Sequence, residues 1–201
     1  MGEKFILSSA ERSPIFYPER QSLFRNEKAF FGSRTFSIFT KINFMNKKDL
    51  QEVYNNVKPH IHKTPVLHSR LIDDLAECKV YLKCENFQKA GAYKIRGATN
   101  AILKLSEKER SRGVVTHSSG NFAQAVSLAA KNLGVPAYIV MPTNAPKIKK
   151  SGTISYDGII TECEPTIAAR ERESSRIQQE TGASFLHPSN DIDVIHGQGT
   201  A

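Results

Sequence analysis

Residues 83–105 read KCENFQKAGAYKIRGATNAILKL. Set out at about 100° per residue, Lys94, Ala98, Ala101, Ile102 and Leu105 fall on one stripe of a helix, which turns a lysine inward. Lys94 stands near the start of that helix, just after the break at Gly91. The positive end of the helix dipole and partial burial both disfavour an ammonium there and ease formation of the neutral amine. A neutral amine is a nucleophile for aldehydes. The competing explanation is a lysine at the edge of the stripe whose stem packs while its head reaches water.

On either side of this stretch the chain alternates helix and strand signals. A surface helix is predicted over 48–58, stopped by Pro59, and Thr64-Pro65-Val66-Leu67 leads into extended chain. A strand at 79–84 precedes the lysine helix. Strands then follow at 113–118, 137–141, 159–163 and 184–187. Helices lie between them at 121–133, after Pro146, and at about 166–180. Such alternation argues for an α/β architecture with a parallel sheet and helices on both faces.

Residues 84–98, CENFQKAGAYKIRGA, resemble the segment around the cofactor lysine of the fold-type II pyridoxal-phosphate enzymes, within them the serine racemase and serine/threonine dehydratase (ammonia-lyase) group. Arg96-Gly97-Ala98 is similar to the continuation found in the racemases and dehydratases. The resemblance runs from about Leu50 to Thr200. It implies that Lys94 forms the internal aldimine with pyridoxal 5'-phosphate. Tyr93, in place of the usual phenylalanine, would pack against the cofactor ring.

A second motif is Thr116-His117-Ser118-Ser119-Gly120-Asn121, where an apolar strand ends and a helix begins. Such a junction offers backbone amides and hydroxyls to a carboxylate. It also suits a plain helix cap, since Ser and Asn are preferred caps. The resemblance assigns Ser118, Ser119, Gly120 and Asn121 to the substrate, and Asn121 also to the cofactor's phenolic oxygen. Ser119 matches the serine that racemases use opposite the lysine. Most relatives have histidine after this asparagine; here Phe122 heads an apolar stripe and cannot form the hydrogen bonds of an imidazole.

Cys163-Glu164-Pro165 followed by Arg170 is similar to the segment whose arginine approaches the substrate carboxylate, a task suited to a guanidinium. On a helix as polar as 170–176, an arginine is otherwise simply solvated. Tyr156-Asp157-Gly158 stands where relatives have Tyr-Gly-Ala, and Ser189 where an asparagine is common. Gly197-Gln198-Gly199-Thr200 resembles the lead into the next helix. None of the 12 glycines is adjacent to another, so the glycine-rich loop expected to hold the cofactor phosphate is missing from the sequence. The resemblance therefore implies the N-terminal part of a longer enzyme. Residues 45–111 would begin the large cofactor domain, 112–188 form the complete small domain, and 189–201 start the return. A divalent cation and ATP would belong to the full-length form, which the resemblance implies is a homodimer acting on L-serine and L-threonine. A truncated, non-catalytic partner of such an enzyme, or a generic α/β binding module, are the other readings.

Composition narrows the classes. No run of about 18 apolar residues is present, so no membrane span is expected. The formal charge of +8 is scattered among acids without a basic run, which argues against nucleic acid. The three cysteines, Cys78, Cys84 and Cys163, lack Cys-x-x-Cys spacing and fit a reducing, cytoplasmic setting rather than a disulfide framework or zinc site. Residues 1–44 hold nine of the 17 aromatic residues without any sustained period, and read as a poorly ordered extension. Glu3, Glu11, Glu19 and Glu27 speak against an organellar presequence, which is normally poor in acids.

Overall fold

A computed structural model describes residues 46–201; the expected extension 1–44 lies outside them. The first element owes its start to one side chain. Asn46 Oδ1 accepts from the backbone N–H of Lys48 at 2.8 Å and of Asp49 at 3.0 Å, and the Asp49 carboxylate accepts in return from the Asn46 N–H. This reciprocal cap opens α1 (Lys47–Val57), whose Val53 and Val57 turn to the core.

Next come β1 (Val66–Leu67), α2 (Arg70–Ala76) and β2 (Leu82–Lys83), the two strands antiparallel. The strand expected over 79–84 shrinks to two residues. The Val80 N–H is taken by the Asp73 carboxylate at 2.8 Å, and β1 offers only two residues to pair with.

Two 3-10 turns, Glu85–Phe87 and Lys89–Gly91, lead into α3 (Lys94–Lys104). Residues 95–102 of α3 are all buried, a wider face than the single expected stripe. The extra contact comes from α8 (Ile192–Gln198), capped by the Asp191 carboxylate. Gly197, expected in the lead into a further helix, lies inside α8 itself. Asn100 donates to the Asp193 carbonyl across the α3–α8 contact at 2.8 Å. The two backbones approach so closely that a Cβ on Gly197 would lie 2.5 Å from the Arg96 carbonyl oxygen and 2.7 Å from the Gly97 Cα. Backbone cannot yield as a side chain does. Gly197→Ala is therefore expected to cost about 3 kcal/mol, the upper end for overpacking, read as a lowered urea midpoint.

Beyond α4 (Glu107–Arg112) the chain builds a four-stranded parallel sheet from β3 (Val114–His117), β4 (Ala137–Pro142), β5 (Ile159–Cys163) and β6 (Ser184–Phe185), in the order β5-β4-β3-β6. Its crossovers are α5 (Asn121–Leu133), α6 (Lys147–Ser155) and α7 (Ile167–Thr181). Alternate strand residues face opposite ways. Val114, Ile139 and Met141 join Ile95, Ile102, Phe122 and Val126 in one core, into which Val57 and Val194 also pack. Val115 and Val140 join Cys163, Ala169 and Ile177 in the other. Helices α5 and α6 thus cover one face of the sheet, with α3 packed on α5, and α7 covers the other; the strands all end toward the same edge, where open parallel sheets bind ligands.

Candidate active site

At that edge β3 is held to β4 as far as Ser118, whose N–H donates to the Val140 carbonyl at 3.1 Å. The chain then turns: the Gly120 N–H donates to Ser118 Oγ at 3.3 Å, and α5 begins at Asn121. Gly120 occupies the capping position, and no side chain caps the helix. The simple capping role is therefore not what these residues perform. The first-turn amides of α5 thus have no side-chain cap, at the positive end of a helix 13 residues long.

Lys94 is the first residue of α3, and it is half-buried rather than sunk in the core. Its Nζ lies 5.3 Å from the ring centroid of Tyr93 and 5.8 Å from that of Phe122. Rings at this range stabilise a cation through their negative faces and furnish flat apolar surface. Among the described residues Lys94 makes no hydrogen bond or ion pair. Phe122 is buried, as its place on the apolar stripe predicts, and it has a second role: it brings the head of α5 up to the lysine. Lys94, Tyr93 and the turn 118–121 thus meet across Phe122. Ser118, Ser119 and Gly120 are half-buried and Asn121 is exposed.

Arg170 stands apart, on α7 and so on the opposite face of the sheet. Its Nε is buried without a hydrogen-bond partner among the described residues, so the side chain is not the simply solvated one that its polar helix allows. Near it, the His117 ring packs on Phe185 at 5.4 Å and edge-on to His187 at 5.7 Å. Burial holds the His117 pKa below its ordinary value, aided by the positive influence of His187 and Arg170 and opposed by Glu171. His187 Nδ1 accepts from the N–H groups of Ser189 at 3.1 Å and Asn190 at 2.8 Å, which fixes the loop that carries Ser189. Burial likewise pushes the Cys163 thiol up, away from reactivity.

Two residues that the sequence does not point to complete the edge. Lys149, from α6, donates to Asn121 Oδ1 at 2.6 Å and to Gln124 Oε1 at 3.1 Å. No periodicity links positions 28 residues apart; the only hint is Asn121-x-x-Gln124, which puts two amides on one side of α5.

Residues 57–201 match the family described as pyridoxal-phosphate dependent enzyme. The chain belongs to that family. It is 51% identical over 151 residues to a serine racemase of Oryza sativa subsp. japonica, covering 75% of this chain and 44% of that protein. With the beta-hydroxyaspartate dehydratase of Paracoccus denitrificans it shares 46% identity over 153 residues, 76% of this chain and 49% of the relative. The solved structure of maize serine racemase superposes with a TM-score of 0.74 at 50% identity, covering 75% of this chain and 46% of that one. The fold is accordingly the fold-type II α/β architecture, and the chain spans about half the length of the relatives it matches.

The residues present fit the aldehyde and ring end of pyridoxal phosphate. An amine with no polar partner among the described residues stands near two aromatic rings, and a Cβ at Gly120 would meet nothing within 4 Å, so the turn leaves open space beside the head of α5.

Proposed function

We propose that this chain carries the lysine half of a pyridoxal-phosphate enzyme acting on small hydroxyamino acids, L-serine and L-threonine, as racemase and ammonia-lyase. The observation that carries the reading is the Lys94 amine, placed by α3 between Tyr93 and Phe122 beside the open turn 118–121. Lys94 would hold the cofactor's aldehyde carbon and, once displaced by the substrate amine, take the proton from the substrate α-carbon. When bound, the cofactor supplies the electron sink for that carbon. Asn121 would donate to the cofactor's phenolic oxygen and Tyr93 pack on its ring. Ser118, Ser119, Gly120 and Asn121 would receive the substrate carboxylate on the free amides of α5. Arg170, across the sheet from that turn, would reach the carboxylate only by a movement of the part that carries it. Residues 112–188 would act as the small domain, and 45–111 with 189–201 as part of the large one.

Ser119 would hold the proton for the face opposite Lys94. Ser119→Ala is therefore expected to lower D-serine formation from L-serine by at least about 100-fold, while release of ammonia and 2-oxo acid stays within about tenfold. Chiral chromatography and a 2-oxo acid assay measure the two products. Both are measured on the chain lengthened by the second half of a relative, which supplies the phosphate-holding loop. An equal fall in both would remove Ser119 from its role, and the absence of both products in the unsubstituted lengthened protein would remove the reading itself. The second reading, a non-catalytic partner of a longer relative, draws on the exposed apolar residues of α2 and of the approach to β2: Leu71, Leu75 and Tyr81 are 69%, 79% and 67% exposed. That reading expects binding without either product.

A further inference from the structure

Lys149 lies in the first turn of α6, where a positive charge opposes the helix dipole. Its neighbour Lys150 is used differently: it pairs with the Glu162 carboxylate at 2.6 Å and donates to the Thr143 carbonyl at 2.8 Å. Lys149 has no carboxylate partner among the described residues. It is half-buried, and its ammonium rests on two neutral amide oxygens, Asn121 Oδ1 at 2.6 Å and Gln124 Oε1 at 3.1 Å. Room for the second of these depends on residue 152 of the same helix, because a Cβ at Gly152 would overlap the Gln124 side-chain nitrogen.

We propose that Lys149 is a positioning residue that fixes which end of the Asn121 amide faces the cofactor; the proposal rests on the function proposed above. The two ends of an asparagine amide are nearly equal in shape, and a half-turn exchanges them. An ammonium has three donors and no acceptor, so it compels Oδ1 to face it. The Nδ2 hydrogens are the end left over. The phenolic oxygen of pyridoxal phosphate, once deprotonated, only accepts, so the amide stands with its donor free. Without the ammonium the amide turns at little cost, and in half of its orientations lone pairs oppose lone pairs. Gln124 keeps the ammonium in place from the next turn of α5.

The test uses the 201-residue chain, labelled with nitrogen-15 and titrated with pyridoxal 5'-phosphate, beside Lys149→Met and Lys149→Arg. Loss of the ammonium should shift the side-chain amide resonances of Asn121 and Gln124 and weaken pyridoxal-phosphate affinity about tenfold, the scale of one hydrogen bond to a charged group. Lys149→Arg, which also only donates, should restore both. Backbone resonances outside α5 and α6 should stay in place, which separates a local effect from misfolding. Unchanged Asn121 resonances in Lys149→Met, or affinity within about twofold of the parent while the resonances move, would overturn the proposal. So would failure of arginine to rescue. If the parent chain and Lys94→Ala respond identically to pyridoxal phosphate, the functional reading fails, and the resonances measured without cofactor still decide whether Lys149 orients the amide.

Discussion

Lys94→Ala is expected to abolish covalent capture of pyridoxal phosphate and to leave folding stability within about 0.5 kcal/mol of the parent. The stability half follows from what Lys94 touches. Among the described residues it forms no hydrogen bond or ion pair, so its removal strands no polar group. The ring contacts at 5.3 and 5.8 Å are lost, at about 0.5–1 kcal/mol for a partly exposed cation. Two gains offset them. Alanine is the better helix former by a few tenths of a kcal/mol, and a cation leaves the positive end of α3, worth about 0.3–1 kcal/mol. The chemical half follows from position. Lys83 is committed to the Thr64 carbonyl at 2.9 Å and Lys149 to two amides, whereas Lys94 has no such engagement among the described residues. Borohydride reduction after incubation with the cofactor, followed by peptide mass mapping, reads the outcome. A label of undiminished yield on another lysine of the variant would transfer the role to that residue.

What sequence could and could not disclose divides along physical lines. Helix α5 and strand β5 fall on the boundaries expected for them, 121–133 and 159–163. Glycines at 120 and 134 bracket an apolar stripe in the one case, and turn residues bracket a run that opens with three β-branched residues, Ile159, Ile160 and Thr161, in the other. Helix α2 escapes because its apolar residues Leu71, Ile72 and Leu75 are exposed and Ser69 makes no cap hydrogen bond. Helix α4 has no apolar stripe at all and stands on the reciprocal cap of Ser106 and Glu109, a four-residue signal that periodicity passes over. At the site, the lysine and the turn 118–121 are legible because local chain geometry places them. The facing of Phe122 toward Lys94, and of Lys149 toward Asn121, depends on how helices cross, which no local pattern encodes. Arg96 shows the same limit: in sequence it marks a family, and in the structure it fastens the start of the lysine helix.

That fastening carries the second large effect. Arg96→Met is expected to cost about 3–5 kcal/mol, the scale for stranding one partner of a buried ion pair. Arg96 is 1% exposed. Its Nε and one terminal nitrogen grip the two Glu85 oxygens at 2.8 and 2.7 Å, and the other terminal nitrogen donates to the Thr200 carbonyl at 3.0 Å. Thr64 Oγ1 adds a 2.6 Å bond to Glu85, so one carboxylate gathers the approach to β1, the turn before α3, α3 itself and the end of α8. Burial by itself raises the Glu85 pKa, but the hydrogen bonds from Arg96 and Thr64 outweigh it and hold the value below 4.5. A carboxylate lowered on folding contributes stability that is present above its unfolded value and lost as pH falls through the folded one. In Arg96→Met the guanidinium no longer opposes burial, so the Glu85 pKa moves up from its parent value and the stability that this carboxylate contributes above it shrinks. The gap between parent and variant is therefore largest near neutral pH and narrows below about 4.5. Urea melts at several pH values measure it. Adding Glu85→Leu should recover much of the loss, because a pair replaced together strands nothing, and the double-mutant cycle then isolates the coupling. A double variant no more stable than Arg96→Met would mean that the guanidinium acts through Thr200 and not through Glu85, and the start of α3 would owe its position to α8 alone.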